Sequence, residues 1–336
     1  MKDISLNDLI EKLMKDSGLG KMTESIQAVS GGFLHRMYKV ETDSGVYAVK
    51  HLNAEIMKRP TARRNYARAE KLEAILEKNS IPIVPALSFD GKKMQEIEGE
   101  YFYIFKWQKG QITDWNHITK EQCYQAGNIL GRIHAIEPRE IEKEEPEVSR
   151  IDWQGYLGQA KDQNSEISSL LDENMDLLIW AESEMNKARA VLPAVSCISN
   201  EDMDPKNIMW EENKPWVIDL ECLDYGNPAS HVMQLALQWS GITTCELDTD
   251  KMLAFFEGYF AAYQSSFCDY EEIFGVAYTW VEWLEYNIRR ALGNCVDEAE
   301  REMGISQVKS TIQRIKHVKE KEPEIKAALG QLFKRS

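Results

Sequence analysis

The alternation of apolar and polar positions changes character near residue 111. The stretch SIQAVSGGFLHRMYKVETDSGVYAVKHLN (25–53) is broken at Gly31-Gly32 and at TDSG (42–45). This predicts strand, glycine turn, strand, hairpin, strand, since period-two runs bounded by turn residues cannot wrap into helices. Residues 62–79 instead place Tyr66, Ala69, Leu72 and Leu76 three or four apart, the spacing of one helix face. SIPIVPALSF (80–89) is a proline-marked link into a strand, and GEYFYIFKWQKG (99–110) is a β-rich run closed by glycine. The opening MKDISLNDLIEKLMKDSGLG carries charges through its apolar positions. It predicts an amphipathic helix ending near Gly18 or Gly20, not a signal peptide.

Beyond 111 the helical period dominates. EQCYQAGNILGRIHAI (121–136) predicts one helix. The highly charged 139–185 predicts solvated helices and an insertion, and 250–336 is helical with a basic tail. WVIDLE (216–221) interrupts this half as an apolar strand ending in acids. The expected class is α+β, with a β-rich lobe over 1–107 and an α-rich lobe over 108–336. No internal repeat or low-complexity segment modifies that layout.

The 336 residues are 43% hydrophobic and 28% charged, with a formal charge of −15. Such a surface repels phosphate backbones and anionic lipid, so nucleic acid and membrane are not expected partners, whereas a cationic small molecule is favoured. The six cysteines, at 123, 197, 222, 245, 268 and 295, form no C-x-x-C pair and no zinc-ligand spacing. Scattered thiols point to a reducing, cytoplasmic setting, and no apolar run approaches the ~20 residues of a membrane span.

Chemistry concentrates in ISNEDMDPKNIMW (198–210), where Asp202 and Asn207 make D-x-x-x-x-N. An Asx-rich turn between strands would use the same residues. The kinase catalytic loop has this spacing too: the Asp accepts a hydroxyl proton and the Asn holds Mg²⁺, while a second Asp on a following strand, here Asp219, holds the metal between phosphates. Upstream, VYAVK (46–50) puts Ala48 and Lys50 on one strand face. In V-A-I-K the small residue lies over adenine and the Lys reaches the α/β-phosphates. Lys50 then requires an acid from the next helix, Glu70 with Glu73 in reserve. Gly31 and Gly32 can bring backbone N–H groups to phosphate or simply turn a hairpin.

Together these motifs resemble the aminoglycoside phosphotransferase family, small-molecule relatives of the protein kinases that include choline-kinase-like enzymes. SGGFLHRMYKV, YAVK, RAEKLEAIL, NSIPIVPAL, YIFKW, AGNILGRIHAI, SNEDMDPKNIMW and VIDLECLDYGNPASHVMQLAL carry the likeness over roughly 25–300, in the family's order. It implies a protein-kinase-like two-lobed fold and transfer of the γ-phosphate of ATP or GTP to a small-molecule hydroxyl. It makes Asp202 the catalytic base and Asn207 and Asp219 Mg²⁺ ligands, with Glu221 auxiliary. Lys50 binds phosphate, and 104–107, including Phe105 and Trp107, contact adenine. Lys50, Asp202, Asn207 and Asp219 are then expected to line one cleft.

Two positions depart from the family pattern. Asn200-Glu201-Asp202 replaces His-Gly-Asp or His-Arg-Asp, and His231 stands where an acid commonly braces the loop. Asn can still donate and accept hydrogen bonds, and Glu201 excludes an arginine-read phosphate switch. For the acceptor, Trp280, Glu282, Trp283, Glu285 and Tyr286 offer aromatic and acidic groups; helical spacing equally makes the aromatics core and the acids a solvated face. The rival functions are a choline- or amino-sugar-type metabolite kinase and a nucleotide-binding pseudokinase module.

Overall fold

Turn chemistry and period together set where each element begins and ends. The computed structural model describes residues 5–29, 35–143, 148–264 and 269–334. In chain order come α1 (Leu6–Asp16), β1 (Gln27–Val29), β2 (Arg36–Thr42), β3 (Gly45–His51), α2 (Ala54–Met57), α3 (Ala62–Lys78), β4 (Gln95–Ile97), β5 (Glu100–Lys106) and β6 (Gln111–Ile112). Then follow α4 (Lys120–His134), β7 (Arg139–Glu140), α5 (Trp153–Asp162), α6 (Ile167–Val191), β8 (Val195–Asn200), β9 (Ile208–Glu211) and β10 (Lys214–Val217). The last elements are β11 (Leu223–Gly226), α7 (Pro228–Trp239), α8 (Thr249–Ala262), α9 (Trp280–Ala291) and α10 (Glu298–Lys334).

One compact unit comprises Met1–Ile112 and Lys206–Asp224, the other Thr113–Pro205 and Tyr225–Ser336. The sequence suggested a single division at 107. The segment 206–224 instead returns to the first unit, because β9 pairs with β6 (Ile112↔Met209) and Val217 bridges Ile83. Such long-range pairing leaves no mark on local periodicity.

The first unit is built on an antiparallel sheet ordered β1-β2-β3-β5-β4. Ser5 caps α1 by accepting the Asp8 N–H, and Gly18 (φ 70°) and Gly20 (φ 90°) carry the left-handed exit. Ile10, Leu13 and Met14 of α1 pack on Val40, Val49, Phe102 and Ile104, one face of the sheet. Tyr103 and Phe105 alternate onto the other face, where Tyr103 packs with Tyr66 and Ala62 of α3. Lys50 is the register partner of Tyr103, and Ala48 of Phe105. The face that holds Lys50 is therefore the α3 face, not an open one.

In the second unit α4 lies against α8 at backbone distance. A Cβ on Gly127 would stand 2.0 Å from the Phe255 carbonyl oxygen, and one on Gly258 would stand 1.9 Å from that of Tyr124. Only glycine permits the approach. The charged stretch forms α5 and α6 as expected, but not all its charge is solvated. Buried Glu182 accepts the Ile151 N–H and the Trp153 indole N–H, each at 2.7 Å. Cys123, Cys197, Cys222, Cys245 and Cys295 are free thiols, while Cys268 lies outside the described residues. Among the described residues no helix is long and apolar enough to cross a membrane.

Candidate active site

Lys50 is the point around which the first unit's polar groups gather. Its side chain leaves β3 toward α3, and the residue is 6% exposed. The ammonium lies 2.9 Å from Asp219 and 2.6 Å from Glu221. Burial alone would drive its proton off; the two carboxylates outweigh that and hold Lys50 above its ordinary range. Burial likewise works to raise Glu221, but the hydrogen bond from His35 and the charge of Lys50 keep it below the usual carboxylate range.

The acid that serves Lys50 is thus not the one expected. Glu70 accepts the Tyr103 hydroxyl at 2.8 Å and the Met94 N–H at 3.1 Å. Tyr103 stands directly across from Lys50 on β5 and intercepts the helix glutamate. Glu73, the reserve, is buried further back, where it accepts the Ala86 N–H at 2.7 Å and pairs with Lys93. Lys50, Glu70, Tyr103, Asp219 and Glu221 do border one recess, with a volume of about 20 Å³. That is room for about one water and too little for a purine base.

Ala48 and Phe105 sit opposite one another across β3 and β5, both partly buried. Trp107 follows on the exposed side, with the Lys39 ammonium 5.6 Å above its ring. Gly31 and Gly32 lie outside the described residues.

Asn207 and Asp219 come together at the open end of the β9–β10 hairpin. The Ile218 N–H donates to the Asn207 carbonyl at 2.9 Å, which sets Asp219 one residue beyond that rung. WVIDLE does not stay extended to its end. β10 stops at Val217, Asp219 takes a left-handed conformation (φ 57°), and Leu220–Cys222 is a 3-10 turn. Aspartate tolerates that conformation better than most residues, which is what an apolar-run reading misses. An amide oxygen and a carboxylate are hard donors that fit Mg²⁺. Among the described residues no three His, Cys, Asp or Glu side chains form a metal cage. This donor set suits an ion that keeps several waters and phosphate oxygens.

The loop that carries Asp202 belongs to the second unit. Asn200 is 0% exposed, and its Oδ1 accepts the Asp202 N–H at 3.2 Å. The Met203 carbonyl accepts the Trp239 indole N–H at 3.0 Å. His134 is wholly buried between Tyr259 (2.9 Å) and Ser199 (3.3 Å). Burial, helped by neighbouring His231, holds His134 far below its ordinary range, so it packs as a neutral ring. His231 Nε2 meets Glu201 at 3.0 Å. The sequence offered Asn200 as a brace of the loop and His134 as a packed ring; the contact between His231 and Glu201 it did not foresee.

The acidic groups considered for the acceptor already have partners. Glu282 makes two 2.7 Å contacts to Arg189, and Glu285 takes the Tyr156 hydroxyl and Arg289. Trp280 lies under Arg314, and Leu284 is core. Trp283 and Tyr286 stay 41% exposed and stack with centroids 5.4 Å apart.

Three comparisons bear on this arrangement. A family model described as "Phosphotransferase enzyme family" matches residues 25–285. No curated protein matches the sequence. Among solved structures, a spectinomycin phosphotransferase in complex with ADP and spectinomycin is similar at a TM-score of 0.65 and 15% identity, covering 98% of this chain and 100% of that one. An amicoumacin kinase in complex with AMP-PNP and Ca²⁺ gives 0.60 at 12% identity, over 90% and 93%. An ethanolamine kinase of Plasmodium vivax gives 0.58 at 15%, over 90% and 84%. These likenesses show the fold, which is protein-kinase-like and α+β.

Proposed function

The chain belongs to the phosphotransferase enzyme family, and from that premise we propose that it moves the γ-phosphoryl group of ATP to a hydroxyl of a small, cationic molecule. It is a small-molecule phosphotransferase. The observation that carries the reading is Lys50, a buried ammonium held between Asp219 and Glu221. An ammonium kept charged inside a fold, beside carboxylates fit for a metal, is the equipment for gripping a nucleotide's phosphates.

In this reading Lys50 binds donor phosphate, and Asn207 and Asp219 hold Mg²⁺, which when bound neutralises charge on the transferring group. Ala48, Phe105 and Trp107 receive the base of ATP, or of GTP as the alternative donor. Asp202 accepts the proton of the acceptor hydroxyl as its oxygen bonds to the γ-phosphorus and the bond to the bridging oxygen breaks. The cationic acceptor is supported by the formal charge of −15. It is also supported by the amines, spectinomycin and ethanolamine, in the names of two structural neighbours. The free thiols suit a reducing compartment, and we take the cytoplasm as its place.

The test is a thermal-shift screen of aminoglycosides, choline analogues and amino sugars with Mg²⁺·ATP, followed by turnover measurements on each hit. A ligand at a hundred times its Kd stabilises by ~2.7 kcal/mol. Nucleotide-dependent phosphorylation of an amine-bearing alcohol is the expected result. Tight Mg²⁺·ATP binding with no transfer to any acceptor and no hydrolysis would instead make the chain a nucleotide-binding module.

A further inference from the structure

We propose that His35 is a positioning residue that sets Glu221 against Lys50; the inference rests on the reading of Lys50 as the lysine that grips donor phosphate. His35 stands just before β2 and is 8% exposed. Its Nδ1 accepts the Asn53 backbone N–H at 2.9 Å. A neutral imidazole carries one hydrogen, and a nitrogen that accepts cannot hold it. The hydrogen is therefore on Nε2, which faces Glu221 Oε2 at 3.2 Å and the Tyr66 hydroxyl at 3.2 Å. Of those two, the carboxylate must be given a hydrogen, while a hydroxyl can turn its own either way.

Glu221 is thus a bridge. One oxygen takes the His35 N–H, and the other lies 2.6 Å from the Lys50 ammonium. It belongs to a three-residue 3-10 turn, Leu220–Cys222, too short to hold a side chain by its own packing. A glutamate so placed has several rotamers, and ordering it costs entropy. His35, itself tied to a backbone N–H, supplies the fixed donor that selects one. The ammonium then meets the phosphates from a set direction.

Two substitutions separate this role from simple packing. In His35→Asn the short amide can still accept the Asn53 N–H but cannot reach Glu221. In His35→Gln the longer amide can present an N–H where Nε2 stood. Binding of Mg²⁺·ATP and of adenosine to the full chain is measured by calorimetry. His35→Asn is expected to weaken Mg²⁺·ATP about tenfold, or ~1.4 kcal/mol. His35→Gln should recover most of that loss, and adenosine, which has no phosphate, should bind both variants alike. Tyr66→Phe should bind Mg²⁺·ATP as wild type does.

Unchanged Mg²⁺·ATP binding by His35→Asn overturns the proposal. So does an equal loss with adenosine, a His35→Gln no better than His35→Asn, or a loss in Tyr66→Phe as large as that in His35→Asn. Lys50→Ala marks the premise separately. If it binds Mg²⁺·ATP like wild type, the phosphate role of Lys50 falls; if it binds weakly while His35→Asn does not, only the His35 inference falls.

Discussion

Glu201 and His231 hold one another, carboxylate to Nε2 at 3.0 Å, beside the loop that carries Asp202. Each is a departure from the family pattern when read alone, an acid in the loop and a base where an acid is common. Together they make one contact. Glu201 is mostly exposed and His231 buried, so the pair works mainly by fixing direction, as partly exposed pairs stabilise little.

Glu201→Ala or His231→Ala should therefore lower kcat about three- to tenfold, ~0.7–1.4 kcal/mol in barrier, with nucleotide KM little changed. The exchanged double variant, Glu201→His with His231→Glu, should recover part of the loss. A double variant slower than either single one would show that the two residues act independently. Steady-state kinetics on the three proteins decides it.

Asp202→Ala should cut kcat by roughly 10²–10⁴, the worth of a positioned base, while Mg²⁺·ATP still binds. Asp219→Ala should weaken Mg²⁺·ATP as well. Asn200→His should stay within about tenfold of the wild-type rate. Because Asn200 has no exposed surface, the larger ring should also cost about 1–3 kcal/mol of stability, readable by urea unfolding.

Which acid serves Lys50 is open to direct measurement. Glu221→Gln should weaken Mg²⁺·ATP about tenfold, ~1.4 kcal/mol, and clearly more than Glu70→Gln. Tyr103→Phe, which strips a donor from Glu70, should cost about 1 kcal/mol of stability. A larger binding loss in Glu70→Gln would restore the helix acid as the lysine's working partner.

His134 gives the fold a pH dependence of definite sign. Folded, it is kept neutral far below its ordinary range by burial, with His231 adding to the effect; Ser199, Tyr259 and Tyr263 complete its surroundings. Unfolded, it takes a proton below about pH 6.5. Below that pH the unfolded chain binds one proton more, so stability falls as pH drops, by up to ~1.4 kcal/mol per unit. Urea unfolding between pH 5 and 7.5 should show a shallower slope for His134→Gln than for wild type. Equal slopes would mean the ring is protonated in the fold.

Much of this was legible in the residues. Period two placed Ala48 and Lys50 on one strand face, and Tyr66, Ala69, Leu72 and Leu76 are all buried on α3 as their spacing requires. D-x-x-x-x-N located the polar loop. What stayed hidden was set by contacts distant in sequence. Nothing local tells Lys50 that Tyr103 will take Glu70, or that Glu221 will arrive instead. His35 gave no signal at all, because its partners Asn53, Tyr66 and Glu221 lie on separate elements. Asp219 was found by motif, but its left-handed turn was masked by the apolar run before it.

The return of residues 206–224 to the first unit has a consequence for the nascent chain. Lys50 and Asp219 are 169 positions apart. At ~5–20 residues per second, synthesis leaves the lysine without its carboxylates for roughly 10 to 30 s. Over that interval β6 also lacks β9, its partner in the short sheet. A truncated chain ending at Ile112 would hold all five strands of the large sheet yet neither of the acids that let Lys50 be buried. The unit that begins first on the ribosome is therefore incomplete until Asp224, two-thirds of the way along the 336 residues, has been made.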